Sequence, residues 1–323
     1  MQRICVIGGS RYFGKLLVQR LRAAGHQVTV INRGSGRPPA GVEHLVVDRD
    51  DEAALLAALG PRTFDVVVDQ VCYTPVQAAI AARVFAGRTR RYVMTSTIEV
   101  YDPATAALVP VPADTPVGEE AVDPATWPVD LGLPWHEAAY LESHYAEGKR
   151  QAEAVLTRAA GTGAGGTRAG GFTFASVRSA HVLGGGAREF TGRLAHYARR
   201  VSAGEPVAVH ARPLPTVFIH FAELAELLHW AATEADFGGP LNACSDGPLD
   251  VHALTAAVAA QTGREPRYQP ATAAAPASPF SFERHYAMSN ARAKSLGFAF
   301  SHTADWLPGA VAEALAEAAV PTA

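Results

Sequence analysis

Tyr145 and Lys149 stand four residues apart in Tyr145-Ala146-Glu147-Gly148-Lys149. On a helix that spacing puts a phenol and an ammonium on one face, and the segment continues in helical register through Ala152, Val155 and Leu156. A nearby cation favours phenolate and brings a group with an ordinary pKa of about 10 toward neutrality, where it can exchange a proton with a substrate oxygen. Taken alone, the pair also arises by chance on exposed helices.

A second constellation lies at the N-terminus. Val6-Ile7-Gly8-Gly9-Ser10-Arg11-Tyr12-Phe13-Gly14 follows an apolar β-branched run and opens an amphipathic segment. A glycine turn between strand and helix lets the backbone approach a pyrophosphate, with the amides and positive dipole end of the helix behind it. Gly8, Ser10, Arg11, Tyr12, Phe13 and Gly14 are therefore candidate dinucleotide contacts. Gly161-Thr162-Gly163-Ala164-Gly165-Gly166 also satisfies G-x-G-x-x-G, but it sits after a helix and before a strand, so no helix N-terminus backs it.

The residue ending the second strand reports the cofactor, because an acid there accepts ribose hydroxyls and repels a 2'-phosphate. Here it is Asn32, followed by Arg33. Nothing repels, and guanidinium groups at Arg33 and Arg11 could clamp a phosphate, so NADP is favoured over NAD; the alternative is that Arg33 solvates a turn. Asp48, after the third strand, could accept from the adenine amino group, or cap a helix.

A third block, Arg91-Tyr92-Val93-Met94-Thr95-Ser96-Thr97-Ile98-Glu99-Val100-Tyr101, offers hydroxyls at the end of a fifth strand. With this block the chain resembles the extended short-chain dehydrogenases/reductases, also called the NAD-dependent epimerase/dehydratase family. Three elements match in order: the glycine loop, Ser96-Thr97 to Val100-Tyr101, and Tyr145-x-x-x-Lys149 followed by Glu153. The resemblance implies that Tyr145 is the general acid/base, that Lys149 lowers its pKa and binds the nicotinamide ribose, and that Thr97 hydrogen-bonds the reacting oxygen, with Ser96 in reserve. Gln70, Val71 and Thr95 complete the expected cofactor set. His181 matches a position that often carries a substrate-contacting Asn; it reads equally as a hydrogen-bonded core histidine.

Two features depart from the family pattern. Arg11 replaces the middle glycine of the usual loop, as in a divergent branch that includes chloroplast stem-loop RNA-binding proteins. The gap from Thr97 to Tyr145 exceeds that of family sugar epimerases, which puts a nucleotide-sugar substrate in doubt. Glu99 keeps one of the two acidic positions that nucleotide-sugar dehydratases and decarboxylases carry, whereas the other is Ile98. Glu99 could remove a carbon-bound proton beside a ketone, but the partner that would protonate a leaving hydroxyl is missing, so reduction, oxidation or epimerisation is favoured over dehydration. The bland reading of Glu99 is an exposed loop glutamate.

The elements that must position these residues alternate. β-branched runs recur at Ile4 to Ile7, Val28 to Ile31, His44 to Val47, Phe64 to Val68, Tyr92 to Thr95 and Phe172 to Val177, mostly separated by segments of helical period. That pattern predicts an α/β, doubly wound parallel sheet (a Rossmann fold) with a small C-terminal substrate lobe. In the first helix Phe13, Leu16, Leu17 and Leu21 share a face and Gly25 supplies the stop. Prolines from Pro103 to Pro134 interrupt any helix or central strand, which predicts a long ordered excursion tied down by Trp127 and Trp135. Residues 159–171, rich in Gly, Ala and Thr, read as a surface loop. Val217 to Ile219 and Leu241 to Ala243 are predicted to return to the sheet, giving a dinucleotide domain of 1–178 with 216–245 and a lobe of 179–215 with 246–323. Ligands of such folds bind outside the carboxyl ends of the strands, which places the site between sheet and lobe.

At 323 residues, 48% of them hydrophobic, the chain can bury a large core. Its net charge of -3 and lack of basic runs argue against nucleic acid. Cys5, Cys72 and Cys244 lie far apart, so neither a disulfide framework nor a metal site is predicted, and reduced buried thiols in a cytoplasmic protein are expected. No stretch reads as a membrane span or signal peptide. The expected partner is a small-molecule substrate, and the resemblance implies a homodimer. The function these readings favour is hydride transfer between NAD(P) and a hydroxyl or ketone. Alternatives are an epimerase or dehydratase with retained cofactor, and a dinucleotide-sensing or RNA-binding protein on the same fold, against which the intact Tyr145/Lys149 pair and the acidic balance argue.

Overall fold

In a computed structural model describing residues 1–110, 115–160 and 171–318, the strand and helix segments follow in the order β1 Arg3–Ile7, α1 Tyr12–Ala23, β2 Gln27–Asn32, β3 Glu43–Val46, α2 Glu52–Leu59, β4 Phe64–Asp69, α3 Pro75–Phe85 and β5 Thr89–Thr97. Further along come α4 Ala138–Ser143, α5 Tyr145–Ala160, β6 Thr173–Ser179, β7 His181–Leu183, α6 Arg193–Ala203, β8 Pro206–Val209, β9 Phe218–His220 and α7 Phe221–Thr233. The chain ends with β10 Gly239–Ala243, α8 Val251–Thr262, β11 Arg267–Pro270, α9 Ala291–Ser295 and α10 Thr303–Ala318.

Contacts divide the chain into two units, the first holding Met1–Pro110, Glu119–Ser179 and Leu224–Ala243. Its seven strands form one parallel sheet in the order β10-β6-β5-β4-β1-β2-β3, so the chain winds outward in both directions from the β1/β4 boundary. Both faces are covered, which is why the strands read as β-branched runs rather than alternating ones. On one face Leu55 and Leu59 of α2, Val84 and Phe85 of α3, and Ala152 and Leu156 of α5 pack with Tyr92 and Met94 of β5. On the other, Leu17, Val18 and Leu21 of α1 are fully buried.

The second unit holds residues 115–118, Ala180–Glu223 and 244–318. It contains two two-stranded parallel sheets, β7-β9 and β8-β11, packed with α6, α8 and α10 around Tyr197, Phe218, Leu254 and Val311.

Of the two late strands expected in the large sheet, one joins it. Leu241 to Ala243 does return to the large sheet, beside β6. The run Val217 to Ile219 does not: Phe218–His220 pairs with His181–Leu183, Thr216 bridges Leu249, and Ser245 N–H donates to the Phe218 carbonyl, so 216–223 and 244–245 belong to the second unit. A three-residue β-branched run carries no information about its partner. Among its described residues, the excursion from Pro103 carries a 3-10 turn at Glu119–Ala121. Trp127 and Trp135 are both buried, and Trp135 Nε1–H donates to the Asp130 carbonyl at 2.8 Å. α5 runs to Ala160, and the glycine run 161–166, like the rest of that expected loop to 170, lies outside the described residues. Among the described residues no helix is long and apolar enough to cross a membrane.

Candidate active site

The glycine turn is built by backbone conformation. Gly8 and Gly9 have φ of +97° and +79°, and Gly8 N–H donates to the Ile31 carbonyl at 2.8 Å. A Cβ on Gly14 would sit 2.0 Å from Gln70 Oε1, so this glycine admits the Gln70 side chain. Arg11 precedes α1 with φ of -134°, ordinary extended backbone, which explains how a bulky residue replaces the middle glycine; the left-handed conformation falls instead on Tyr12, at φ of 49°. Arg11 makes no side-chain cap at the N-terminus of α1, the end where a helix favours an anion.

Asn32 is committed to its own loop. Its amide oxygen accepts from Gly34 N–H at 2.7 Å and lies 3.0 Å from His44 Nε2, and its NH2 donates to Ser10 Oγ at 2.6 Å and the Gly36 carbonyl at 3.2 Å. Both Asn32 and Ser10 thus shape the turn from within. Arg33 and Arg11 are exposed. Asp48 is also exposed and accepts from Asp50 N–H, while the cap of α2 is Asp51, whose Oδ1 accepts from Ala54 N–H at 2.9 Å.

Lys149 is 2% exposed and donates from Nζ to the Thr95 carbonyl at 2.8 Å. Its Nζ lies 4.6 Å from the centre of the Tyr73 ring and 5.9 Å from that of Tyr145, and the two rings are 6.2 Å apart. Burial lowers the Lys149 pKa to about 8, partly opposed by the neighbouring Cys72 and Asp69. Gly148 has a local cause too: its Cβ would stand 2.3 Å from the Tyr73 carbonyl oxygen.

At the end of β5, Met94 shares a core cluster with Ala152 and Leu156 of α5, and Ser96 and Thr97 stand in register with Arg178 and Ser179 of β6. Thr97 Oγ1 accepts from Glu99 N–H at 3.2 Å and opens a 3-10 turn, Ile98–Tyr101; the bond uses an oxygen lone pair and leaves the hydroxyl hydrogen to donate. Glu99 is half-buried on that turn. Three buried polar atoms near these strand ends, Gln70 Nε2, Thr95 Oγ1 and Ser96 Oγ, have no hydrogen-bond partner within the protein. Orphans of this kind, with the N-terminus of α1, fit a bound polar cofactor.

Against this geometry, a family model for the NAD dependent epimerase/dehydratase family matches residues 4–245. The chain belongs to that family. It is an NAD-dependent enzyme of the extended short-chain dehydrogenase/reductase type. Among characterised relatives, 2'-dehydrokanamycin reductase of Streptomyces kanamyceticus is 30% identical over 123 residues, a match spanning 38% of this chain and 35% of that protein's length. In structure, the UDP-glucose 4-epimerase of Thermus thermophilus, solved with NAD, superposes with a TM-score of 0.65 at 21% identity, covering 98% of this chain and 100% of the other. The UDP-glucose 4-epimerase of Thermotoga maritima, solved with UDP-glucose, gives 0.70 at 18% identity, covering 96% and 98%. Identities this low show the shared fold.

Several residues around this epimerase/dehydratase-family site escaped the sequence reading. Asp69 is fully buried; it accepts from Arg49 through both oxygens at 2.8 and 2.7 Å, from Tyr92 Oη at 2.6 Å and from Val71 N–H at 3.0 Å, which fixes the Gln70-Val71 segment beside Gly8. Burial disfavours the Arg49 charge, but Asp69 outweighs it and leaves the Arg49 pKa raised. Arg178, also fully buried, pairs with Glu153 at 2.6 Å and donates to Tyr101 Oη and to the carbonyls of Glu119 and Val122. Tyr73 is the aromatic partner of Lys149. None of these carries a recognisable spacing.

His181 lies in the second unit, 4% exposed, ringed by Phe218, Phe280, Phe282 and Tyr286 with centroids 5.0 to 5.9 Å away. Burial, then Arg193 and Arg284, lower its pKa to about 3, so it is neutral. Arg193 Nη1 stands 3.4 Å from its Nδ1, which places the ring proton on Nε2, and that atom has no hydrogen-bond partner. Among the described residues no group of three His, Cys, Asp or Glu side chains converges as for a metal ion. All three cysteines are buried thiols.

Proposed function

We propose that the chain transfers hydride between NADP and a secondary alcohol or ketone of an oxygen-rich small molecule, with Tyr145 as general acid/base. The observation that carries this reading is the burial of Lys149 between the Thr95 carbonyl and the rings of Tyr73 and Tyr145. A buried ammonium that donates to a backbone carbonyl carries further N–H donors that a ribose can accept, and its charge stabilises a phenolate at Tyr145. Gly8, Tyr12, Phe13 and Gly14, with the α1 amides, would hold the pyrophosphate, Gln70, Val71 and Thr95 the nicotinamide half, and Asp48 the adenine. When bound, the dinucleotide supplies or accepts the hydride. Thr97 donates its hydroxyl hydrogen to the reacting oxygen, with Ser96 the reserve, and Tyr145 moves that oxygen's proton. Titrating the purified protein with NADPH and with NADH by nicotinamide fluorescence tests the reading; binding of neither sinks it.

The choice of NADP rests on the absence of an acid at Asn32 and on the exposed Arg33 beside it. Arg33→Ala is expected to weaken NADPH by about tenfold, the scale of one charge-assisted contact, and to leave NADH within about twofold. Equal weakening of both, or tighter NADH binding by the unmodified protein, would assign NAD, the dinucleotide held by the Thermus thermophilus epimerase.

Glu99 supports a second reading, an epimerase that retains its cofactor, since a carboxylate on the Thr97 turn could remove a carbon-bound proton beside a transient ketone. Under it, Glu99→Gln keeps single-turnover hydride transfer but loses solvent deuterium incorporation beside the ketone. An unmodified enzyme that incorporates no deuterium leaves Thr97, Tyr145 and Lys149 as the whole of the chemistry.

A homodimeric, cytoplasmic enzyme without nucleic-acid partners completes the proposal.

A further inference from the structure

Arg150, the residue after Lys149, is fully buried. Its Nε donates to the Val100 carbonyl at 2.7 Å, and its Nη2 to the carbonyls of Glu99 at 3.3 Å and Asp102 at 3.1 Å and to Thr105 Oγ1. Those carbonyls belong to the 3-10 turn that Thr97 opens and that carries Glu99, and to Asp102 just beyond it; backbone N–H groups of Asp102 and Thr105 also donate to the Glu99 and Asp102 carbonyls, so Arg150 adds a second tie to a turn that is already formed. One planar guanidinium therefore spans the whole turn. Its remaining arm, Nη1, donates to Glu147 Oε2 at 2.9 Å, which neutralises the buried charge.

The carboxylate of Glu147 is itself held. Its other oxygen accepts from Trp127 Nε1–H at 3.1 Å and from Gln151 Nε2–H at 2.9 Å, and Gln151 Oε1 accepts from Asp130 N–H at 2.8 Å. Arg150 also lies 5.3 Å from the centre of the Trp127 ring. Glu147, Arg150 and Gln151 thus bracket Lys149 on α5 and grip both ends of the proline-rich excursion, Asp102 to Thr105 at one and Trp127 to Asp130 at the other.

We propose that Arg150 is a positioning residue that fixes the Thr97–Glu99 turn relative to Tyr145 and Lys149. The inference rests on the acid/base reading above. Helix and turn reach the site from distant parts of the sequence, and Arg150 joins them through a fork that a lysine cannot reproduce: an ammonium keeps the charge but has three donors from one atom. Misplacement of a reacting group by about 1 Å can cost on the order of a hundredfold in rate, while a binding surface elsewhere is untouched.

The test compares Arg150→Lys and Arg150→Ala in the full chain, with NADPH and an aromatic vicinal diketone as the probe reaction and Tyr145→Phe as control. Arg150→Lys is expected to lower kcat about 10- to 100-fold with the NADPH Kd within about twofold. Arg150→Ala is expected to recover part of its kcat on adding millimolar guanidinium but not ammonium or sodium at equal concentration. If both variants keep full kcat while Tyr145→Phe is inactive, the positioning role is overturned and the acid/base reading stands. A matched loss of NADPH affinity and kcat in Arg150→Lys, with no guanidinium rescue of Arg150→Ala, makes Arg150 merely structural and also overturns it. Full activity in Tyr145→Phe instead overturns the acid/base reading, and this inference with it.

Discussion

Replacing Tyr145 by phenylalanine is expected to reduce turnover by about a hundredfold or more, the size associated with a lost general acid/base, and to leave dinucleotide affinity within about twofold. Phenylalanine keeps the ring that stands 6.2 Å from Tyr73 and 5.9 Å from Lys149 Nζ, so packing around the ammonium is retained. What disappears is one proton-carrying oxygen. Single-turnover nicotinamide absorbance together with fluorescence titration separates the two quantities. An active variant would mean that the proton reaches the substrate by another route, and the assignment of Tyr145 would be withdrawn.

Lys149→Met is expected to abolish detectable turnover and weaken dinucleotide binding, yet to stabilise the fold. Burial has brought the Lys149 pKa down from 10.5 to about 8, so the folded state holds the ammonium under strain. A shift of that size is worth about 3 kcal/mol, less about 1 kcal/mol for the lost bond to Thr95. The sign follows from linkage: the folded pKa is below the unfolded one, so the unfolded chain binds more protons between pH 8 and 10.5. Below pH 8 the native protein carries the full penalty, and the advantage of methionine is greatest there and fades toward pH 10.5. Urea unfolding at neutral and alkaline pH measures this; a variant less stable than the parent at neutral pH would show that the amine is not strained. Activity of the parent should fall as pH rises through about 8, since Lys149 then loses the charge that supports Tyr145.

The candidate site is legible in the sequence where a local rule fixes its geometry. The glycine turn announces itself because strand, positive-φ glycine and helix must follow in that order, and Tyr145 with Lys149 because four residues make one helical turn. The central strands were legible as β-branched runs, although β5 starts three residues before the expected Tyr92, at Thr89, since charged Arg90 and Arg91 hide its extended character. What could not be read depends on partners far along the chain. Arg150 looks like one more charge on an exposed helix until carbonyls about fifty residues earlier close around it. Asn32 suggests a ribose contact, yet its side chain is occupied by Ser10, Gly34, Gly36 and His44. Asp48 was weighed as a helix cap, and Asp51 holds that place because Ala54 N–H is three residues beyond it. The run Val217 to Ile219 reads as a strand of the large sheet but pairs with His181–Leu183 instead, because pairing is a long-range property.

The neutral histidine of the second unit gives the enzyme a built-in response to acid. His196 and His220 are lowered as His181 is, burial being the first cause in each case, so none of the three gains a stabilising charge in the native state. An unfolded chain takes up these protons once the medium falls below the usual 6.5, whereas native His181 refuses its proton until about 3. Between those limits every step toward acidity drains free energy from the second unit, while Lys149 of the first unit is already fully charged and contributes no further change. The two halves of the molecule are therefore tuned to opposite ends of the pH scale, one losing cohesion in acid and the other losing the buried charge of Lys149 in base.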